Sequence, residues 1–378
     1  MRIGIEGQRL FRGKKHGMDM VALELIRELQ KIDKTNEYFV YISPDKDVCL
    51  NETDNFKIRY VNGGFYPKWE QISLPKAVKN DKCQLLHCTS NTAPLSINIP
   101  LVLTLHDIIY MEKTYSQILK GSGTNYQKFG NIYRRYVVPK IVRKSNMIIT
   151  VSEFEKRRIA DFFKIDGRKL KAVYNGVSSH FKKIEDNNEL QRVKEKYKLP
   201  EKFIFFLGNT DPKKNTKGVL KAFSDFCRMN NEYQLVMLDF ERNELEKILV
   251  EINDIKLIDR IHLTGYVVNT DLPAIYNLSK LFLYPSLRES FGIPMLEAMA
   301  CGTPVITSNT SSMPEVADDA ALIIDPFKTE DITDAIILLL NNSELRHQLI
   351  EKGYKRASKY TWNAMAENVH KIYMEVLK

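Results

Sequence analysis

Glu289-Ser290-Phe291-Gly292-Ile293-Pro294-Met295-Leu296-Glu297-Ala298-Met299-Ala300-Cys301-Gly302-Thr303-Pro304-Val305-Ile306-Thr307 is the stretch that decides how this chain reads. The apolar run Leu281–Tyr284 before it reads as a buried strand, which Pro285-Ser286 breaks. Gly292 allows a tight turn, and Pro294 suits the first position of a helix, where its missing N–H costs nothing. A helix over Met295–Cys301 then stops at Gly302, with Pro304 just beyond. Glu289 therefore sits on a loop at a strand's carboxyl end, and Glu297 lies one turn into the following helix. Free N–H groups and the positive end of the helix dipole point between them, which makes an anion site flanked by carboxylates. Carboxylates repel phosphate but accept from hydroxyls, so a sugar nucleotide, with both groups, suits the place. The plainer alternative is an ordinary strand–loop–helix unit with Glu297 only complementing the dipole.

Outward from this stretch, strand-like runs alternate with helical patterns, the mark of parallel α/β architecture. The first half gives strands at Ile3–Ile5, Tyr38–Ile42, Leu85–His87, Leu101–Thr104, Met147–Val151 and Ala172–Tyr174, with helices at Met20–Lys31 and Glu153–Phe163. The second gives Phe203–Leu207, Gln234–Leu238, Ile261–Leu263, Leu281–Tyr284, Pro304–Thr307 and Ala321–Ile324. The polar segment Ser178–Glu189 reads as a linker between two α/β halves with a cleft between them.

Composition agrees with a chain of two domains. Its 378 residues are 44% hydrophobic and 27% charged, values of an ordinary globular protein. No apolar run approaches membrane-span length, and the start, Met1–Gly7, reads as a first strand rather than a signal peptide. Five scattered cysteines (Cys49, Cys83, Cys88, Cys227, Cys301) without metal spacing indicate a reduced cytoplasmic protein with no structural zinc.

Charge is unevenly divided. Residues 1–178 hold 30 Lys+Arg against 18 Asp+Glu, and the remainder holds 26 against 29. The densest part, Lys113–Lys144, includes Lys120, Lys128, Arg134, Arg135, Lys140 and Arg143 with no acidic residue, and tyrosines are interleaved. It reads as a solvated helix face, as a patch drawn to anionic membrane or lipid-linked phosphate, or as a nucleic-acid surface. No recognition motif accompanies the last reading, so no nucleic-acid partner is expected.

The stretch 289–307 resembles the donor-binding motif of the retaining glycosyltransferases of family four, whose hallmark is Glu-x7-Glu. The likeness extends from Leu283-Tyr284-Pro285-Ser286 through Pro314-Glu315-Val316 to Asp325-Pro326. It implies the GT-B architecture: two facing Rossmann-like domains with the active site in the interdomain cleft. The implied domains are residues 1–178 on the acceptor side, 179–360 on the donor side, and a helix over 361–378 crossing back to the first.

The resemblance also distributes roles. Lys214, on the turn after Phe205-Phe206-Leu207-Gly208, matches the family's phosphate-binding lysine. Asn209 stands where many members have arginine, so one phosphate contact is absent and Lys213 or another cation substitutes. His106 matches a histidine near the transferred sugar, with Asp107 ordering its loop. Gly17 stands in a glycine-rich loop that approaches the donor phosphate, with Gly13, Lys14 and Lys15 as helpers. Gly265-Tyr266-Val267 occupies a position that contacts the base, and Tyr174-Asn175-Gly176 an interdomain turn.

In the implied reaction Lys214 and the N–H groups of Ser290, Phe291, Gly292 and Ile293 bind the departing diphosphate, Glu289 holds sugar hydroxyls and Glu297 the ribose. No cofactor or metal is expected. Ser308–Glu315 and the Pro-Lys-Lys-Asn turn most resemble bacterial mannosyl- or rhamnosyltransferases of surface polysaccharide and lipopolysaccharide synthesis. The expected partners are thus a GDP- or UDP-linked sugar, mannose first, and a glycan or lipid-linked acceptor at the cytoplasmic membrane face. Rival readings are a sugar-nucleotide epimerase of the same architecture, a two-carboxylate glycosidase, and a non-enzymatic nucleotide-binding membrane adaptor.

Overall fold

A computed structural model describes residues 1–112 and 125–378 of the chain. Lys120 and the rest of Lys113–Thr124 lie outside the described residues. The chain divides into two compact units, Met1–Gly176 with Trp362–Lys378, and Val177–Thr361.

The first unit is built on β1 (Arg2–Glu6), β2 (Glu37–Ile42), β3 (Phe56–Tyr60), β4 (Leu85–Cys88), β5 (Leu101–Thr104), β6 (Met147–Thr150) and β7 (Leu170–Ala172). They pair in parallel in the order β3-β2-β1-β4-β5-β6-β7. The chain begins in the middle of the sheet, winds out through β2 and β3, then returns to β4 and winds the other way. Loops leaving β1 and β4 therefore part at their carboxyl ends, the place where parallel sheets open a ligand crevice.

The second unit repeats the plan with β8 (Phe203–Phe206), β9 (Gln234–Met237), β10 (Ile261–Leu263), β11 (Phe282–Tyr284), β12 (Val305–Ser308) and β13 (Leu322–Ile324). Their order is β10-β9-β8-β11-β12-β13, again parallel, so the switch falls between β8 and β11. Central strands such as Phe203–Phe206 and Val305–Ser308 are buried at every position, which explains their unbroken apolar or small character.

Helices fit their sequence signals. α1 (Gly17–Ile32) buries Val21, Leu25, Ile26 and Leu29 at helical spacing, and the Asp19 carboxylate accepts from His16 N at 2.9 Å to close its start. That cap begins the helix at Gly17, three residues before the apolar pattern does. α2 (Asn125–Lys144) carries most of the basic stretch, and α3 (Glu153–Phe163) is capped by Ser152. In the second unit α4 (Thr216–Cys227) follows β8 and α5 (Ile293–Ala300) follows β11. The last helix, α6 (Trp362–Val376), belongs to the first unit. Its Tyr373 hydroxyl lies 2.6 Å from His87 Nδ1 and its His370 Nε2 3.0 Å from Asp33 Oδ2, two anchors on buried polar groups.

The structure departs from the sequence reading in five places. β3 was not foreseen; it is an edge strand, Phe56-Lys57-Ile58-Arg59-Tyr60, whose half-exposed face lets it carry charges. The strand expected at Ala172–Tyr174 is Leu170–Ala172, because pairing with β6 sets Leu170 opposite Ile148. The polar segment ends earlier than Glu189, since Asp186 caps a helix starting at Asn187. Pro294 is the second helical residue, because Gly292 serves as the cap and Ile293 opens α5. The units part at Gly176 and Thr361, where the sequence reading placed joints at 178 and 360.

Candidate functional site

The loops at the second unit's switch point hold most of the residues singled out by sequence. After β8 the chain runs through Gly208 and an exposed Asn209, whose side chain accepts from Asp211 N at 2.8 Å. A short turn, Pro212–Lys214, follows, capped by the Asp211 carboxylate on Lys213 N. Asn215 adopts φ +56°, a conformation asparagine tolerates better than most residues, and its amide donates to the carbonyls of Pro285 and Pro326 at 3.2 and 2.8 Å. Lys213 O accepts from Leu287 N at 2.7 Å. These bonds tie the β8 loop to the β11 loop and fix where Lys214 points.

It points at Glu289. Lys214 Nζ lies 2.6 Å from Glu289 Oε1, with side chains only 16% and 12% exposed. The same ammonium sits 5.1 Å from the centroid of the Tyr284 ring, and the Tyr284 hydroxyl bonds to the Glu289 carboxylate. The Glu289 backbone is held as firmly: its N–H donates to Ser311 Oγ at 3.1 Å, and the buried Ser312 hydroxyl reaches Glu289 O and Phe291 O. Thr310 braces Ser286 and Leu287 in the same way. Sequence reasoning gave Tyr284 and the hydroxyls of 310–312 no part in this; their signal was a Ser/Thr run at the carboxyl end of a buried strand.

Beyond Ser290 and the buried Phe291, Gly292 turns at φ +107°, a value that L side chains rarely adopt, and α5 begins. The first N–H groups of this helix have no partner within it, so its start is a place for an acceptor or an anion. Glu297 lies on the next turn, partly buried, with the Tyr276 hydroxyl 3.3 Å from Oε2. Burial pushes its carboxyl up to about 7, a shift that the Tyr276 bond only partly offsets. Val267 is half-buried on the turn after β10, next to Gly265 at φ +69° and an exposed Tyr266. Among the described residues no group of three His, Cys, Asp or Glu side chains is disposed to hold a metal ion.

The remaining candidates belong to the first unit. His106 follows β5, is 5% exposed, and places Nε2 3.0 Å from Thr89 O, so Nε2 carries the proton and Nδ1 does not. Burial lowers its pKa, and the imidazole is neutral at pH 7. Its backbone N–H donates to Asn91 Oδ1 at 2.7 Å, which holds the turn open toward the sheet's carboxyl edge. Gly17 is the first residue of α1 rather than part of a loop, and a methyl group there meets nothing within 4 Å. Lys15 is taken by Asp47, with which it forms an ion pair, and by Arg12 O.

The basic stretch divides. Lys140, Arg143 and Lys144 are exposed, and Lys128 is half-buried. Arg134 and Arg135 turn inward, which corrects their place in a surface patch: the Arg134 guanidinium lies 5.0 Å from the Tyr110 ring centroid and Arg135 Nη2 donates to Tyr110 O at 2.7 Å. No helix among the described residues is long and apolar enough to cross a membrane.

Known proteins resemble this chain. Residues 187–356 match the family described as Glycosyl transferases group 1, and residues 16–181 match Glycosyltransferase Family 4. The serotype-specific mannosyltransferase WbdA of Escherichia coli is 28% identical over 236 residues, 61% of this chain and 29% of that protein. O-antigen chain mannosyltransferase B of Escherichia coli is 30% identical over 226 residues, 58% of either chain. The matched parts thus span well under two thirds of these relatives. Anabaena Alr3699/HepE, solved in complex with UDP and glucose, superposes with a TM-score of 0.76 at 15% identity over 99% of this chain and all of that one, a likeness of fold.

Proposed function

From the premise that the chain belongs to the group 1, family 4 glycosyltransferases, with their GT-B fold, we propose that it transfers a hexose from a nucleoside diphosphate sugar to a hydroxyl of a glycan or lipid-linked acceptor, with retention of anomeric configuration. The observation that carries this is the Lys214–Glu289 pair at the β8/β11 switch point, beside the start of α5. A cation, a carboxylate and a helix N-terminus within one loop pair match a ligand that bears both phosphate and hydroxyls.

The chemistry follows from charge. As the glycosidic bond breaks, negative charge grows on the diphosphate and positive charge on the sugar ring. The Lys214 ammonium and the N–H groups of Gly292 and Ile293 stabilise the first without reorganising. Lys214 exchanges part of its bond to Glu289 for a phosphate oxygen, and Glu289 then accepts from sugar hydroxyls. Glu297, on the next turn, takes the ribose hydroxyls, with Val267 toward the base and Lys213 in place of the arginine that Asn209 replaces. His106, neutral through burial, keeps a ring nitrogen available to the transferred sugar. No metal is required when a lysine and a helix dipole supply the positive charge.

Mannose is the proposed sugar and GDP the proposed carrier, because the relatives above are named mannosyltransferases; UDP, which the solved neighbour binds, is the competing base. The exposed cations Lys140, Arg143 and Lys144 support peripheral attraction to an anionic membrane on the cytoplasmic side. The test is release of nucleoside diphosphate from GDP-mannose, UDP-glucose and related donors, with acceptor and chelator present. Transfer with retained configuration that survives chelation and falls in Glu289→Gln supports the proposal. Turnover without any acceptor assigns an epimerase instead, and binding without turnover assigns an adaptor.

A further inference from the structure

The first unit has its own switch point, between β1 and β4, and a cavity of about 600 Å³ opens there. Arg9 and Arg12 reach it from the loop after β1, Thr92 from the loop after β4, Tyr66 from beyond β3, and Tyr133 and Arg134 from α2. Beneath them lies Glu70, fully buried on a π-helical turn, Trp69–Ser73, a distortion that recurs at functional sites. Its carboxylate is fully engaged: Oε1 accepts from the hydroxyls of Tyr66, at 2.7 Å, and Thr92, and Oε2 accepts from Tyr133 and from Gln71 Nε2, the last at 2.9 Å. The other buried carboxylate there, Glu6, accepts from Gln8 N at 2.9 Å and from Thr89. Both carboxylates are thus satisfied by uncharged donors.

The three arginines are not. Among the described residues none of Arg9, Arg12 and Arg134 forms an ion pair, whereas Arg27, Arg59 and Arg356 each hold a carboxylate. The Nε atoms of Arg9 and Arg134 are buried without a hydrogen-bond partner. The Arg9 guanidinium rests 5.2 Å from the Tyr66 ring centroid, which orients it without neutralising it. Burial lowers the Arg134 pKa and the Arg9 charge adds to the fall, while the Tyr110 side chain and the Asp107 carboxylate oppose it without forming an ion pair. A cavity walled by unpaired guanidiniums and tyrosine rings fits a phosphate next to a sugar face.

We propose that this cavity holds the phosphate or pyrophosphate group of the acceptor, a phosphorylated saccharide either free or attached to a lipid, through Arg9, Arg12 and Arg134. The acceptor assignment rests on the glycosyl-transfer reading above, while the anion site stands on the first unit alone.

Binding of inorganic pyrophosphate to the full chain tests it by calorimetry, in wild type, Arg9→Gln, Arg12→Gln, Arg134→Gln and Lys214→Gln. Each lost charge-assisted bond should weaken binding by about tenfold or more in the arginine variants. Lys214→Gln should remove at most the share of pyrophosphate that binds at the donor site and leave the arginine-dependent share in place. No binding to the wild type, unchanged binding in all three arginine variants, or a loss confined to Lys214→Gln would overturn the proposal. Thermal unfolding separates a misfolded variant from a lost contact. GDP and UDP binding, which should follow Lys214 and not Arg9, reports separately on the donor site. Phosphatidylcholine vesicles carrying polyprenyl pyrophosphate distinguish the source: retention that depends on Arg9 assigns a lipid-linked acceptor, and pyrophosphate binding without such retention assigns a soluble phosphorylated sugar.

Discussion

Lys214 and Glu289 are 75 residues apart in sequence and 2.6 Å apart in space, joined across the two loops that leave β8 and β11. Each fixes the other: the carboxylate aims the ammonium at the crevice, and the ammonium holds the carboxylate in place where little solvent reaches it. Neither is spare to the fold in the way an exposed surface pair is.

Lys214→Gln should weaken binding of the preferred nucleoside diphosphate by about 1.5–3 kcal/mol, the worth of a hydrogen bond to a charged group. Glu289→Gln should leave nucleoside diphosphate affinity within a few-fold of the wild type and depress transfer instead, since its proposed contacts are to the sugar. Calorimetry on both variants, with initial rates on the second, checks the division of labour.

Glu297 makes stability and binding depend on pH. Its carboxyl, raised from 4.5 to about 7 by burial, holds a proton more tightly in the folded chain than in the unfolded one. Its contribution is therefore greatest at low pH and declines as pH rises across that window, by no more than ~3 kcal/mol and less after screening. Ribose hydroxyls donate best to the ionised form, so nucleotide affinity should rise with pH through 7. Glu297→Gln should flatten both curves, measured by denaturant titration and by calorimetry at several pH values.

Two glycines should behave oppositely. Gly292→Ala forces a side chain to φ +107° and should cost about 1–2 kcal/mol, although its nearest neighbour, Tyr284 Cε1, is at an ordinary 3.5 Å. Gly17→Ala meets nothing within 4 Å on the first turn of α1 and should leave stability unchanged or slightly raised. If a donor phosphate approaches Gly17, the same change should weaken sugar-nucleotide binding without lowering the unfolding temperature.

The fold was legible where burial imposes its own pattern. Fully buried strands such as Leu101–Thr104 and Phe203–Phe206 appear as apolar runs bounded by breakers, and Glu153–Phe163 announces itself through the Ser152 cap. The Glu289–Glu297 loop was legible for the same reason, since Gly292, Pro294 and Gly302 punctuate it. Edge strand β3 was not, because half of it faces solvent and needs no apolar run. Nor was the cavity around Glu70. Arg9, Tyr66 with Glu70, Thr92 and Arg134 come from four separate segments, and only the strand order β2-β1-β4 brings their loops to one edge. The basic stretch misled in part: a run of cations on α2 says nothing of which ones the helix turns inward.

Asp33 should be the acid-sensitive anchor of the last helix. Burial alone would raise its carboxyl, yet the Tyr38 hydroxyl, the Asn36 side chain and the N–H groups of Thr35 and Asn36 hold it well below the usual range, and His370 of α6 lies 3.0 Å away. That stabilisation is present above the unfolded value near 3.8 and is lost as pH falls below it. Asp33→Asn should cost about 2–4 kcal/mol at pH 7 and flatten the acid limb of the stability profile.

The most direct test of a metal-independent donor site at Lys214 and Glu289 is thermal unfolding with GDP, UDP, ADP and dTDP, each with and without chelator, in wild type and Lys214→Gln. At about 100 times its Kd the true nucleotide should add roughly 2.7 kcal/mol, seen as a raised unfolding temperature that survives chelation and shrinks in Lys214→Gln. A wild type that responds to none of the four, or a shift that Lys214→Gln retains in full, would contradict it.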